Sequence, residues 1–196
     1  MLKYQNGKIE MIVGPMFAGK SAELIKRVRR YGYAGIKVLV FKPKIDDRWA
    51  NKQIKSRSGT SIDTHAISKS VEIMKIWNED YHVVAIDEAQ FFDEDLIEIV
   101  TRLANKNVRV IISALDQDFE GKPFGFVPHL LAIAEKVTKL TAVCMQCGSA
   151  ASMSFRKSQS TEIVEVGDKE YEARCRSCHG ASMIERAHEF NIEKLK

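Results

Sequence analysis

The stretch that decides the fold runs Lys8-Ile9-Glu10-Met11-Ile12-Val13-Gly14-Pro15-Met16-Phe17-Ala18-Gly19-Lys20-Ser21. Its first six residues alternate and end apolar, which predicts a strand, and Gly14 then breaks the pattern. Behind Ser21, the spacing of Leu24, Ile25 and Val28 predicts an amphipathic helix. A strand, a glycine-containing turn and a helix in this order are typical of the first unit of a parallel α/β sheet.

The turn itself, Gly14 to Ser21, fits the phosphate-loop pattern G-x-x-x-x-G-K-[ST] without a gap. The glycines let backbone N–H groups line up on phosphate oxygens, and the positive end of the following helix points at the same anion. Lys20 supplies a mobile charge for the β- and γ-phosphates, and the Ser21 hydroxyl can bind Mg²⁺. A chance match is the alternative, but the flanking strand and helix argue against it. The stretch predicts a site for a nucleoside triphosphate.

Further strands and helices alternate along the chain. Strands are predicted at 36–41, 81–86, 108–112 and 137–140. Helices are predicted from a cap at Ser68 or Ser70 through Trp77, from a cap at Asp93 or Asp95 to about Leu103, and at 128–134. Residues 43–64 are polar and predict a long loop. The pattern predicts an α/β fold, a parallel-sheet P-loop nucleotide-binding domain with helices on both faces.

Two carboxylates, Asp87 and Glu88, follow the apolar run Val83-Val84-Ala85-Ile86. Ligands bind at the carboxyl ends of strands in such sheets, so the pair is predicted to lie beside the phosphate loop. Solvated acids at a loop start are the alternative. One carboxylate can bind Mg²⁺ and the other can act as general base, and the spacing does not show which does which. Asp is the usual residue on the magnesium side, which leaves Glu88 as general base. A base activates a hydroxyl or a water, so these residues alone allow a kinase or an ATPase.

Four cysteines form two C-x-x-C pairs, Cys144 with Cys147 and Cys175 with Cys178. Four thiolates close a tetrahedral shell, which predicts a structural Zn²⁺ site without an open position. A redox pair is the competing interpretation, although two such pairs are redundant. His179 and His188 are possible substitute ligands. The cysteines divide the chain into a domain at 1–142, a zinc-held lobe at 143–180 and a charged tail at 181–196 for which no fold is predicted.

Composition limits the class of protein. The 196 residues carry a net charge of +4, and the basic cluster Lys26, Arg27, Arg29 and Arg30 fits a solvated helix face better than a nucleic-acid surface. No apolar run reaches the roughly 18 residues of a membrane helix. The N-terminus lacks the apolar segment of a signal peptide. We therefore expect a cytoplasmic protein with no membrane or nucleic-acid partner.

Together these residues resemble the type II thymidine kinases, the cytosolic zinc-containing family, from about Lys8 to Cys178. Besides the phosphate loop, the resemblance rests on runs that are specific in this order: Asp87-Glu88-Ala89-Gln90-Phe91-Phe92, Leu115-Asp116 with Phe119, Lys122-Pro123-Phe124-Gly125, Lys139-Leu140-Thr141-Ala142-Val143-Cys144-Met145-Gln146-Cys147, and Tyr171 before Cys175-Arg176-Ser177-Cys178.

The resemblance implies roles for individual residues. Glu88 is implied as the base for the 5′-hydroxyl of deoxythymidine. The implied ATP and Mg²⁺ site comprises Gly14, Pro15, Met16, Phe17, Ala18, Gly19, Lys20, Ser21, Asp46, Asp47, Arg48, Asp87 and Gln90. The implied nucleoside site comprises Met16, Phe91, Leu115, Phe119, Phe124, Ser154, Val164, Val166, Gly167 and Tyr171, with a lasso-like loop of the lobe over the nucleoside. Position 154 is Ser where the family often has Thr.

The implied activity is ATP-dependent phosphorylation of deoxythymidine in nucleotide salvage, by a homotetramer that dTTP inhibits. Two rivals share some of the motifs. A zinc-ribbon, ATP-driven nucleic-acid factor predicts a basic stripe with interleaved aromatics, which the weak net charge disfavours. A non-enzymatic zinc module leaves the phosphate loop and Glu88 unexplained.

Overall fold

The computed structural model describes residues 7–44, 53–55, 61–158, 167 and 169–193. A six-stranded sheet in the order β5-β2-β6-β7-β1-β8 forms its centre, and all five neighbouring pairs are parallel. The strands are β1 (Lys8–Val13), β2 (Val38–Pro43), β5 (His65–Ile67), β6 (Val83–Ile86), β7 (Arg109–Ala114) and β8 (Lys136–Lys139). The predicted α/β class is confirmed; β1 has its predicted bounds, the ends of the other predicted strands are shifted by at most two residues, and β5 was not predicted.

Helices cover both faces of this sheet: α1 (Lys20–Tyr33) lies on one face, and α2 (Val71–Ile76), α3 (Asp95–Asn105) and α4 (Val127–Ile133) lie on the other. Helix α5 (Arg176–Glu193) contacts the short strands at Met153–Arg156 and Tyr171–Arg174. Alternate residues of β1 point to opposite faces: Ile12 packs with α1, whereas Met11 and Val13 belong to the larger cluster with α2, α3 and α4. Within the described residues, no helix is both long enough and apolar enough to cross a membrane.

The polar segment at 43–64 was predicted as a loop, and part of it is a hairpin instead. Strand β3 (Gln53–Lys55) pairs antiparallel with β4 (Ser61–Asp63), and Ile54 lies opposite Ile62. Ile54 is buried against the α1 cluster, with Ile62 beside it. Two isolated apolar residues in a polar stretch carry too little periodicity to predict a strand, because their burial depends on α1.

Four short strands form the part of the chain we call the cysteine lobe. Strand β9 (Ala142–Val143) pairs antiparallel with β10 (Ala150–Ala151), and β11 (Met153–Arg156) pairs antiparallel with β12 (Tyr171–Arg174). The β-like run predicted around Met153 is confirmed as β11, while the run predicted at 163–166 lies outside the described residues. The tail, predicted without structure, continues helix α5 as far as Glu193.

Candidate functional site

The phosphate loop connects β1 to α1, as its sequence predicts. A Cβ at Gly14 would lie 2.3 Å from the carbonyl oxygen of Leu140, and Gly14 has a φ of 144°. Gly19 precedes the first turn of α1 with a φ of 82°, a conformation that favours glycine. The buried Lys20 side chain folds back, and its Nζ donates to the carbonyl oxygen of Pro15 at 2.9 Å. The loop therefore has the backbone shape and the charge that phosphate binding requires.

Asp87 is buried at the end of β6, directly beside this loop. Its Oδ1 accepts hydrogen bonds from the Ser21 hydroxyl at 3.4 Å and from the Ser113 hydroxyl of β7. Burial raises the pKa of the Asp87 carboxyl to about 6; the Glu88 charge adds to this shift, while the two serines and Lys20 oppose it. Burial also lowers the pKa of Lys20, against the attraction of Glu88, Asp87 and Asp116. The phosphate loop and the acid pair thus form one electrostatic unit.

Glu88 begins the next turn, a 3-10 helix at Ala89–Phe91, in the left-handed conformation with a φ of 52°. One of its carboxylate oxygens accepts a hydrogen bond from Gln90 Nε2 at 2.5 Å. Unlike Asp87, Glu88 is partly exposed. The two neighbouring acids therefore differ in environment. Asp87 is buried at the sheet edge and accepts hydrogen bonds from the two serines, whereas Glu88 is partly exposed, so a substrate can reach it.

Five of the residues predicted to line the nucleoside site take part in three contacts. Phe91 and Phe124 meet edge to face with ring centroids 6.1 Å apart. The Leu115 N–H donates to Gln90 Oε1 at 2.9 Å, and the Met16 N–H donates to Ser154 Oγ at 2.9 Å. The last bond joins the phosphate loop to the cysteine lobe, and Phe17 and Ala18 pack against the same lobe. The lobe therefore borders the phosphate loop.

Phe119 and Tyr171 come together through Arg156, a residue that the sequence interpretation missed. The Arg156 guanidinium lies 3.9 Å above the Phe119 ring, and its Nε and Nη2 donate to Tyr171 Oη at 3.0 and 2.6 Å. His179 Nε2 also lies 2.9 Å from the Phe119 carbonyl oxygen. The sequence gives no sign that an arginine at the end of a short strand is buried, because that burial depends on the fold.

Two further charged or polar residues at the sheet edge were also missed. Ser113 is the penultimate residue of β7 and lies beside Asp87, and Asp116 follows the strand, with its Oδ2 2.7 Å from Lys139 Nζ. Asp116 is 7% exposed, and its Oδ1 has no hydrogen-bond partner among the described residues. Their position just after a predicted strand was the available signal. Of the other predicted residues, Gly167 is exposed with a φ of 144°, while Asp46, Asp47, Arg48, Val164 and Val166 lie outside the described residues.

The four cysteines come together in the cysteine lobe, as their spacing predicts. Their sulfur atoms all lie within 4.8 Å of one another, so the group could hold a metal ion. Two turns supply the pairs: the Gly148 N–H donates to the Cys144 carbonyl, and the Cys178 N–H approaches Cys175 Sγ at 3.5 Å. His179 is not part of this group, since its ring contacts Phe119. A set of four thiolates fits the chemistry of Zn²⁺.

The phosphate loop and the acid pair on the same sheet edge define a P-loop nucleotide-binding enzyme, which carries a lobe with four clustered cysteines. The thymidine kinase family model matches residues 7–179. The chain belongs to the thymidine kinase family.

Curated relatives agree with this assignment. The thymidine kinase of Mycoplasma mobile is 51% identical over 178 residues, which cover 90% of this chain and 89% of that protein. The thymidine kinase of Metamycoplasma arthritidis is 49% identical over 185 residues, covering 93% and 95%. That of Mesomycoplasma hyopneumoniae strain 7448 is 51% identical over 179 residues, covering 90% and 97%. The resemblance stated from the motifs is thereby confirmed.

Proposed function

We propose that this chain transfers the γ-phosphoryl group of Mg·ATP to the 5′-hydroxyl of deoxythymidine. The observation that carries the proposal is the phosphate loop beside Asp87 and Glu88, in a chain of this family. Phosphoryl transfer needs little covalent chemistry from the protein, so the work of these residues is to position the reactants and to neutralise charge.

Ser21 and Asp87 are the residues that we propose hold Mg²⁺. Their oxygen atoms lie 3.4 Å apart at the mouth of the phosphate loop, and hard oxygen ligands suit this ion. An ion held there would supply positive charge to the phosphates. Lys20 leaves the Pro15 carbonyl and turns to the β- and γ-phosphates, while Asp46, Asp47 and Arg48 stay predicted phosphate-side residues.

Glu88 is the proposed general base. It accepts the proton of the 5′-hydroxyl as the oxygen attacks the γ-phosphorus, and the leaving ADP keeps the bridging oxygen. Its exposure and its position one residue after Asp87 support this role, because the nucleoside must arrive from the solvent side of the phosphates.

The cysteine lobe is proposed to hold a structural Zn²⁺ through Cys144, Cys147, Cys175 and Cys178. Four thiolates leave no open position for a substrate, so the ion acts on folding. Through Ser154 and Arg156, the lobe fixes the phosphate loop and Phe119. The homotetramer, the inhibition by dTTP and the cytoplasmic location stay predictions from the resemblance.

An activity comparison tests the proposed function. The purified chain should form ADP only when deoxythymidine is present with Mg·ATP, in an assay coupled to ADP release. Single-stranded DNA, double-stranded DNA and RNA should leave the background ATPase rate unchanged. ADP formation that nucleic acid stimulates and deoxythymidine does not would replace the proposal with the nucleic-acid factor.

Base selectivity gives a first prediction. If backbone groups at 164–167 read the thymine edge, deoxycytidine mismatches at two positions, each leaving a buried polar group unpaired at ~1–3 kcal/mol. We expect kcat/KM to favour deoxythymidine over deoxycytidine by roughly a hundredfold or more. Deoxyuridine lacks only the methyl group, worth about 1 kcal/mol, and should remain a substrate. Ranking kcat/KM for the three nucleosides checks this; deoxycytidine equal to deoxyuridine would refute it.

The Ser113–Asp87 hydrogen bond gives a prediction about pH. Mg²⁺ binding requires ionised Asp87, whose pKa is raised to about 6, so kcat/KM for Mg·ATP should fall as the pH drops below that value. Ser113→Ala removes a hydrogen bond that stabilises the ionised form, worth about 1.5 kcal/mol. The acidic limb should therefore move up by about one pH unit.

Thr101→Ala, which removes an exposed hydroxyl on α3, is the control for that profile. Glu88 and Lys20 also face Asp87 and are unchanged in both variants. An acidic limb at the same pH in Ser113→Ala and wild type would show that Asp87 ionisation does not govern Mg·ATP binding.

A further inference from the structure

The Gln90 side chain joins the acid pair to the loop after β7. It is buried, and both ends of its amide are used: Nε2 donates to Glu88 Oε2 at 2.5 Å, and Oε1 accepts from the Leu115 N–H at 2.9 Å. The Leu115 N–H can only donate, so it fixes the amide oxygen on its own side and turns the NH₂ group to Glu88. The orientation of the amide is therefore set by the backbone.

Glu88 needs such support. Its backbone is left-handed, its side chain is partly exposed, and the charge of Asp87 next to it repels its carboxylate. In the part of the chain that the structure describes, Gln90 is the one side chain that donates a hydrogen bond to Glu88. That bond is made to Oε2; among the described residues Oε1 accepts no hydrogen bond, so it is available to an incoming hydroxyl.

The resemblance implies a place for Gln90 in the ATP and Mg²⁺ site, but both ends of its amide are used by Glu88 and Leu115. We propose instead that Gln90 is a positioning residue that orients the Glu88 carboxylate and links its direction to Leu115. This rests on the proposed function, in which Glu88 is the base. Leu115 begins the segment that also carries Phe119 and Phe124, and Phe124 packs on Phe91, the residue after Gln90. A nucleoside bound against this segment is therefore linked to Glu88 through a single hydrogen-bonded side chain, that of Gln90. A small misplacement of a reacting group can lower a rate by up to about a hundredfold.

Two variants of Gln90 separate aiming from packing. Gln90→Met keeps the length of the side chain and removes both hydrogen bonds. Gln90→Glu keeps an acceptor for the Leu115 N–H and puts a carboxyl oxygen in place of the NH₂ group that donates to Glu88. Asn105→Leu replaces an exposed amide at the end of α3, away from the sheet edge, by an apolar side chain of similar size and is the control.

We expect both Gln90 variants to lower kcat by about 10- to 100-fold, and the neutral Gln90→Met variant to keep the KM for ATP within about twofold of wild type. Asn105→Leu should keep kcat within about twofold. In a Glu88→Gln background, Gln90→Met should lower kcat by less than about threefold more, because the group it aims is already gone. Thermal melting checks that each variant is folded.

The outcomes distinguish this inference from the proposed function. If Glu88→Gln lowers kcat strongly while folded Gln90→Glu and Gln90→Met keep wild-type kcat, the positioning role is wrong and the proposed function stands. If the Gln90 effect persists undiminished in Glu88→Gln, Gln90 acts elsewhere and the inference also fails. If wild type does not phosphorylate deoxythymidine, or Glu88→Gln is fully active, the proposed function itself fails and takes this inference with it.

Discussion

Glu88→Gln should lower kcat for deoxythymidine by about 10²–10⁴-fold, the usual effect of removing a general base. The substitution keeps the size of the side chain and its hydrogen bonding, but the amide cannot accept the proton of the 5′-hydroxyl. ATP affinity should be retained, because the phosphate contacts come from the loop between Gly14 and Ser21. Steady-state kinetics together with calorimetric titration of Mg·ATP measures both quantities.

Glu98→Gln is the matched control, since it neutralises an exposed carboxylate on α3 away from the sheet edge. Its kcat should equal that of wild type. A Glu88→Gln enzyme with near-normal kcat would contradict the assignment and move the base role to Asp87 or to a water.

The second large effect is expected at the metal site. Cys147→Ser leaves three thiolates, and the binding energy of a structural zinc ion is also folding energy. We expect the variant to lose its tightly held zinc, to fold in lower yield and to melt roughly 10 °C lower. That drop corresponds to a loss of several kcal/mol at about 2–4 °C per kcal/mol for a chain of this size. Elemental analysis measures the bound zinc, which should be about one ion per wild-type chain. A thermal melt measures the melting temperature of both proteins.

Met145→Ser tests the same turn without touching a sulfur of the cluster, because Met145 is exposed and is not one of the four grouped residues. It should keep its zinc and its melting temperature. A Cys147→Ser protein that is metal-free, soluble and as stable as wild type would rule out a structural role for the ion.

The central fold could be predicted because its signals are local. Strand β1 was predicted at its observed bounds, and the phosphate loop follows from residues adjacent in sequence. The neighbourhood of Asp87 and Ser21 followed from one topological rule, that carboxyl ends of parallel strands share a sheet edge. The cysteine cluster followed from spacing alone. Each of these inferences needed a short window of sequence and a general property of parallel sheets or metal ligands.

The contacts that were not predicted join positions far apart in the chain, and the periodicity of apolar residues within one segment cannot indicate them. Ser154 reaches the phosphate loop across 138 residues, and the environment of Arg156 exists only because the lobe folds back onto Phe119. Helix α5 was not predicted because its charged sequence has a weak apolar face. Its Ser182 is buried on Arg174 of β12, a tertiary contact that no single segment reveals.

The most direct test of the account is the identity of the product. The wild-type chain is incubated with deoxythymidine and Mg·ATP, and phosphorus NMR and mass spectrometry identify what forms. The account predicts deoxythymidine 5′-monophosphate and ADP in a ratio of one to one, with no inorganic phosphate beyond the background. Inorganic phosphate formed in step with ADP, while the nucleoside is recovered unchanged, would contradict it.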